Sequence, residues 1–490
     1  MNAQRVARGG VCTVLMLVVA GCMVGPDFVR PKPPETERYL PGEPLEGTIP
    51  IKDQAQYFDA GADIVADWWR LFKSPKLNAL VTEAINNNQS LRGAQAALRQ
   101  SQHNLLAGYG VFFPQADVGG SAVRQRFSSA RFGGTTSATF NLFTLSTTVT
   151  YALDVFGGQR RAVESLRAQR DFQRYTVLAT YLTLTGNIVN TVVARAAYDA
   201  QIDATRELIA LQQEQIEITR AQIRAGTVPY VSVVTLQTQL ASLEATLPAL
   251  EQGRGQAEHL LDILMNYAPG EGVSAQISLA DLSLPEDLPV TLPSTLVRQR
   301  PDILAAEAQV HQFTANIGVA TADMLPSFTL SGTYGQNARN LMDVFMSSGS
   351  FWSAGAAFAA PILRGGTLWQ QRKAAIDAYK QSLANYRQTV LNALAQVADL
   401  LLALEHDAET LQSQRQQLSS AREALRLVRI NHQAGLVNDL QVLITNSQYL
   451  QARLGYIGTL GQRFQDTSGL FVALGGGWWN TEGEGELTGM

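Results

Sequence analysis

Between Gly158 and Gly226 the chain carries no proline and a single internal glycine, Gly186. From position 181 to 223 Tyr181, Ile188, Ile202, Ile209, Ile216 and Ile223 fall on one row spaced by seven, and Arg195 is the only charged member of that row over this span. A seven-residue row keeps one side of a helix apolar along its whole length. A second row, Leu211, Ile218 and Ala225, lies two residues on. Two residues turn a helix by about 200°, so this row occupies nearly the opposite side. Such a helix needs a neighbour on each side. At 1.5 Å per residue it is about 100 Å long, well beyond ordinary globular helices. The pattern then recurs from Gly366 to Gly435, with Val390, Val397, Leu404, Leu411, Leu418, Leu425 and His432 each 209 residues after its counterpart. The chain reads as a tandem duplication of one very long helical hairpin, and this repeat overrides any domain count based on length.

Strands interrupt each copy. Phe113-Pro114-Gln115 and Leu325-Pro326-Ser327 stop the helices that precede them, and the period then changes to two. Phe143, Leu145, Val149, Tyr151 and Leu153 alternate with Leu142, Thr144, Ser146, Thr148, Thr150 and Asp154. In the second copy Phe328, Leu330 and Tyr334 alternate with Ser327, Thr329, Ser331 and Thr333. An apolar face backed by a hydroxyl-rich face suits an outer-membrane strand, with lipid on one side and water on the other. A half-buried soluble sheet gives the same alternation. Each copy holds two strands around a Gly/Ser/Thr-rich loop, residues 127–139 and 336–349, so one chain supplies four strands. The smallest spanning barrels use about eight, so several chains must contribute.

The N-terminus explains how such a chain reaches a membrane. Arg5 and Arg8 precede an apolar segment, Val11 to Val19, that is too short to span a bilayer. It ends Val19-Ala20-Gly21-Cys22, which resembles a bacterial lipobox and marks Cys22 for lipidation. The other cysteine, Cys12, leaves with the signal, so no disulfide is expected within one mature chain. No apolar run of about 18 residues follows Cys22, so a membrane crossing is expected to use strands and not helices.

The expected organisation is a signal peptide at 1–21, a lipidated extended tether at 22–66 and a first repeat at 67–268 with strands at about 115–155. A Pro-rich linker at 269–300, a second repeat at 301–475 with strands at about 327–362, and a disordered tail at 476–490 complete it. Ser74-Pro75 is a helix-start signal after the aromatic segment Trp68-Trp69-Arg70-Leu71-Phe72. Both long helices end at an Ala-Gly pair, where glycine suits a left-handed cap.

Charge argues against nucleic acid: 38 Lys and Arg face 42 Asp and Glu, a net of −4. His103, His259, His311, His406 and His432 are scattered over different helices, and no His-Glu-x-x-His, Gly-x-Ser-x-Gly or P-loop spacing occurs. Catalysis, a metal centre and a cofactor are therefore not expected. A coiled-coil spacer would not need the strands, and a simple porin would not need the long helices.

The chain resembles the TolC-like outer-membrane factors of tripartite efflux systems, in particular their NodT-like lipoprotein subgroup. The resemblance rests on the order and spacing of Val24-Gly25-Pro26-Asp27-Phe28, Trp68-Trp69-Arg70-Leu71-Phe72, Leu153-Asp154-Val155-Phe156-Gly157-Gly158, Arg300-Pro301-Asp302-Ile303, Pro361-Ile362-Leu363 and the two Ala-Gly turns. It implies a mainly α fold with a β-barrel portion, in which a homotrimer completes a twelve-stranded outer-membrane barrel and the helices continue it as a periplasmic α-barrel. It implies an exit channel opened at its helical tips, partnered by a periplasmic adaptor and an inner-membrane pump, often of the resistance-nodulation-division class. By position, the adaptor-contacting turns are Gly226-Thr227-Val228 and Gly435-Leu436-Val437. Family members often place acidic residues six or nine positions after the glycine. Here those positions hold Ser232, Thr235, Gln441 and Ile444, which puts the usual acidic gate in doubt. Asp439 is the nearest acidic residue. Three copies of it could ring the pore, or it could simply cap a solvated helix. Ser232 and Gln441 are the other gate candidates, and His432 is either a pH sensor at the tip or an exposed helix histidine.

Overall fold

The computed structural model describes residues 23–33, 35–36, 38–42, 47–49, 55–128, 133–272 and 276–480. The expected signal peptide, Cys22 and residues 481–490 lie outside that range, as does the side chain of Asp439. In chain order the elements are β1 (Tyr57–Ala60), α1 (Pro75–Asn87), α2 (Gln89–Gly108), β2 (Gln115–Ser128), β3 (Ser137–Leu153), α3 (Gly158–Arg224), α4 (Val231–Glu244) and α5 (Leu247–Leu264). They continue with β4 (Asp287–Val290), α6 (Pro293–Gln299), α7 (Pro301–Ala322), β5 (Ser327–Ala338), β6 (Ser350–Ala359), α8 (Thr367–Gln433) and α9 (Asp439–Ala473).

The heptad rows become α3 and α8, each 67 residues long. Ile188, Arg195, Ile202 and Ile216 of the first row are buried, as are Val390, Val397, Leu404, Leu411 and Leu425 of the second. Arg195 is tolerated on its apolar row because its Nε donates to Glu258 Oε1 of α5 at 3.1 Å. Ile218, on the opposite row, stays 47 % exposed.

The remaining helices are more broken than the pattern suggests. Ser74 caps α1 by accepting from Leu77 N, with Pro75 in the first turn. Asn88 then takes extended backbone, which ends α1, and its Oδ1 accepts from Leu91 N to start α2. The return from the first tip divides into α4 and α5, where Pro248 falls in the first turn of a new helix.

Two compact units form, and neither follows the repeat boundaries. One takes residues 99–173 and 306–386 with the N-terminal residues up to Pro31; the other takes 32–98, 174–305 and the chain from 387 on. The first holds the antiparallel sheet β2-β3-β5-β6. The second is built on Trp68, Trp69, Phe72, Ile188, Phe464 and Phe471, with the Trp68 and Phe471 rings stacked at 5.5 Å. It also contains a parallel pair, β1 with β4, that joins the end of the expected tether to the expected linker. Arg463, 1 % exposed, donates there to Gln56 Oε1 and Thr48 Oγ1.

Two expectations need correction. Residues 476–480 are not a disordered tail. Trp478 Nε1 donates to Gln299 O, Trp479 Nε1 to Asp63 Oδ1, and Asn480 Nδ2 to Ile64 O, at 2.7–2.8 Å. Glycine richness suggested disorder, but the two indoles and the amide each find a fixed acceptor. One helix, α3, is also long and apolar enough by composition to cross a membrane. Its apolar stretch is instead core: Ile188, Val189, Val192 and Val193 are at most 3 % exposed.

Candidate functional site

The β2-β3-β5-β6 sheet sorts its side chains by chemistry. Residues paired across strands share a face. Phe143, Leu145, Val149, Tyr151 and Leu153 of β3 pair with Ala338, Gln336, Gly332, Leu330 and Phe328 of β5. Phe328 and Tyr334 in turn pair with Phe358 and Trp352 of β6. On this face Tyr334, Trp352 and Phe358 are 59 %, 77 % and 74 % exposed. The opposite face carries Thr144, Ser146, Thr148 and Thr150 beside Asn337, Gly335, Thr333 and Ser331. Thr144 Oγ1 donates to Asn337 Oδ1 at 2.8 Å, and the Thr148 and Thr333 hydroxyls lie 3.3 Å apart. One face is thus fit for lipid and the other for water. β2 and β6 are both edges of the sheet, so the wall continues only if other strands join it.

The junction between β3 and α3 gives a physical role to Leu153-Asp154-Val155-Phe156-Gly157-Gly158 and to Val24-Gly25-Pro26-Asp27-Phe28. Asp154 caps α3: its carboxylate accepts from Gln159 N and Arg160 N at 3.0 Å and from Arg160 Nε at 3.1 Å. An anion there also suits the positive end of the helix dipole. The N-terminal segment is held on the same unit by Arg161, whose side chain is 1 % exposed. Arg161 Nη2 donates to Asp27 Oδ1 at 2.7 Å, Nη1 to Glu164 Oε2 at 2.8 Å, and Nε to Val24 O at 3.1 Å. Glu164 Oε1 lies 2.9 Å from His311 Nε2, and Phe28 stacks on the His311 ring at 4.3 Å. A Cβ on Gly25 would sit 2.5 Å from Gly318 Cα, so the two backbones touch directly. The clue in the sequence was an arginine, Arg161, three residues after Gly158 with an acid, Glu164, three residues further on.

The tips follow from the same rule at both helix ends. Gly226 and Gly435 have φ of 71° and 75°. Gly226 N donates to Ile223 O and Thr227 N to Gln222 O; Gly435 N donates to His432 O and Leu436 N to Asn431 O. This paired bonding is the Schellman cap, which satisfies the last carbonyls of a helix. Space around both glycines is open, so glycine is required there by backbone conformation and not by crowding. Thr227 and Leu436 are exposed, Leu436 at 74 %, and Val228 and Val437 are half-buried. Asn438 caps α9 by accepting from Gln441 N, which leaves Asp439 as the first residue of the helix. Ser232 is half-buried near the start of α4, and Gln441 is exposed. The three gate candidates therefore all lie in the first turn after a tip.

A family model described as outer membrane efflux protein matches residues 80–266 and 292–476. This chain belongs to the outer membrane efflux protein family. Among its relatives is the pyoverdine export outer membrane protein OpmQ of Pseudomonas aeruginosa, 29 % identical over 447 residues that cover 89 % of this chain and 93 % of the relative. Nodulation protein T of Rhizobium leguminosarum bv. viciae is 28 % identical over 486 residues, covering 95 % and 92 %. Among solved structures, the outer-membrane channel OprN superposes with a TM-score of 0.83 at 25 % identity, over 93 % of this chain and 100 % of that one. The chain is accordingly an outer-membrane efflux channel, and the four-stranded sheet is its membrane-crossing part. Membership in an outer-membrane family speaks against the alternative of a half-buried soluble sheet.

Proposed function

We propose that three copies of this chain form the exit duct of a tripartite efflux assembly, receiving small molecules from a periplasmic adaptor and an inner-membrane pump of the resistance-nodulation-division class. The observation that carries this reading is the four-stranded sheet, apolar on one face and hydroxylated on the other, with an open edge at each side. Four strands are half of the smallest barrel, and three copies supply enough for a pore. The apolar second side of α3, with Ile218 exposed, offers the next copy a surface of the same kind.

The tips Gly226-Thr227-Val228 and Gly435-Leu436-Val437 dock the adaptor in this reading, and Ser232, Asp439 and Gln441 line the narrowing behind them. Gly435→Trp tests it. A side chain at φ 75° costs about 1 kcal/mol, small beside a folded trimer. Trimer mass in detergent and its heat stability on a gel should therefore persist, while drug susceptibility rises severalfold. The same change at Gly226 should do less, because Thr227 is a more polar knob than Leu436. Normal efflux in Gly435→Trp would remove this turn from adaptor docking, and a parent protein that is monomeric in detergent would sink the shared barrel.

Cys22 is the lipidated N-terminus in the same reading. Cys22→Ser should abolish fatty-acid labelling yet leave part of the protein in the outer membrane, because the barrel also holds it there. Labelling that persists in Cys22→Ser would place the lipid elsewhere.

A further inference from the structure

The division of the sheet into a lipid face and a water face reverses at its hairpin end. Along β3 the lipid side runs from Leu153 to Phe143, about 34 Å of strand and about 26 Å of height at a 40° tilt. That matches the apolar band of about 25 Å in outer-membrane barrels. Beyond Phe143 the same side carries Asn141 and Thr139, which pair with Arg124 and Arg126 of β2. The strand has left the hydrocarbon there, and polar residues are expected.

The water side changes in the opposite sense. Past Ser121 and Thr144 it presents Val123 with its partner Leu142, then Phe140, then Phe127. Phe351 of β6 belongs to the same face, since it pairs with Gly335, which pairs with Ser146. A Cβ on Gly335 would lie 2.7 Å from the Phe351 ring, so glycine leaves room for that ring on the water side. The Arg339 guanidinium stands 5.3 Å from the centre of the Phe140 ring. The 3₁₀ turn Leu341–Phe345 packs on β3 and β5 and buries Val344, while Val123 and Phe127 remain 48 % and 47 % exposed. A segment with water on both sides has no solvent reason to carry Phe127, Phe140 and Leu142 on one face. Barrel closure brings the equivalent faces of the other copies opposite it.

We propose that Phe127, Phe140, Leu142 and Phe351 form an apolar collar at the outer mouth of the channel, which three copies narrow and keep dry between transport events. This rests on the trimeric barrel of the proposed function. A hydrophobic constriction expels water and blocks ions, but it yields to an apolar or amphiphilic molecule whose contacts replace the lost water. The collar therefore favours cargo with an apolar face over small hydrophilic solutes entering from outside.

The test uses the full-length protein in intact cells and a membrane-impermeant biotin-maleimide added outside. Thr148→Cys places a thiol on the water face below the collar, and the parent chain gives the background. Phe140→Ser with Phe351→Ser should speed labelling of that thiol about tenfold or more, with heat-stable trimer retained. Phe140→Trp should slow it, so a variant of opposite sign remains if the serine pair fails to assemble. Equal labelling rates with and without the collar changes would overturn the collar. Leu330→Cys reports the lipid face and should label at background. If it labels as fast as Thr148→Cys, the assignment of faces fails, and with it the barrel on which the collar stands.

Discussion

Arg161→Leu is expected to destabilise the assembled protein by about 3 kcal/mol and to release the N-terminal segment. Breaking a buried charge pair costs about 3–5 kcal/mol, because the remaining groups lose a partner they cannot replace with water. The lower end applies because the Asp27 side chain is 82 % exposed and can rehydrate, and because Glu164 keeps His311. The Val24 and Gly25 carbonyls also lose their guanidinium donor. Limited proteolysis should then cut within residues 23–33, and the midpoint of heat dissociation should fall. Arg161→Lys restores charge without the planar fork and should recover only part of the loss. An uncut segment in Arg161→Leu would show that Phe28 and Gly25 hold it unaided.

Asp407→Asn is expected to stabilise the protein above neutral pH and to leave it nearly unchanged at pH 4. Asp407 of α8 faces Asp466 and Arg463 of α9, with His406 beside it on its own helix. Burial first, then hydrogen bonding to the Asp466 carboxylate, pushes the Asp407 carboxyl up to about 7 from an ordinary 3.8. Its Oδ2 is buried without a donor among the described residues, so the retained proton is what allows the two carboxyls to bond. Arg463 does not cancel the charge, because its fork is spent on Gln56 and Thr48. A raised carboxyl keeps its proton in the folded chain where the unfolded chain has lost it. The contribution to stability is therefore complete below about pH 4 and is lost as pH rises through about 7. Asparagine resembles the protonated form at every pH. The gain at pH 8 should be about 1–2 kcal/mol, reduced from the full shift because the group is half exposed. Heat dissociation of trimer measured from pH 4 to pH 8 checks this, and parallel curves for the two proteins would refute it.

The long helices could be foreseen because a period of seven over ten turns leaves few alternatives, and strand faces because hydroxyls alternate with aromatics. The tips were readable for a related reason: a helix that must reverse at Ala-Gly has one common way to do so. What escaped the sequence was pairing at a distance. β1 and β4 are four residues each, too short for periodicity to show, and they meet across more than two hundred positions. Arg161 looked like one more basic residue at a helix start until Asp27 and the Val24 carbonyl stood beside it. The collar was hidden because Leu142 read as one apolar residue among the hydroxyls; only the register adds Phe127, Phe140 and Phe351 to its side. The C-terminal Gly-Trp segment misled by composition, since its order depends on acceptors at Gln299, Asp63 and Ile64.

That last contact has a consequence for how the protein is made. Synthesis runs from the N-terminus, so Asp63 and Ile64 emerge when most of the chain does not yet exist. Their partners Trp479 and Asn480 come more than four hundred residues later. A chain that stops short of Trp479 keeps these early acceptors open, and the unit that contains them stays unfinished until that segment arrives. Arrival of this distant segment is thereby registered in the fold itself, and a fragment that stops short of Trp479 but bears a full set of strands still lacks the closing latch.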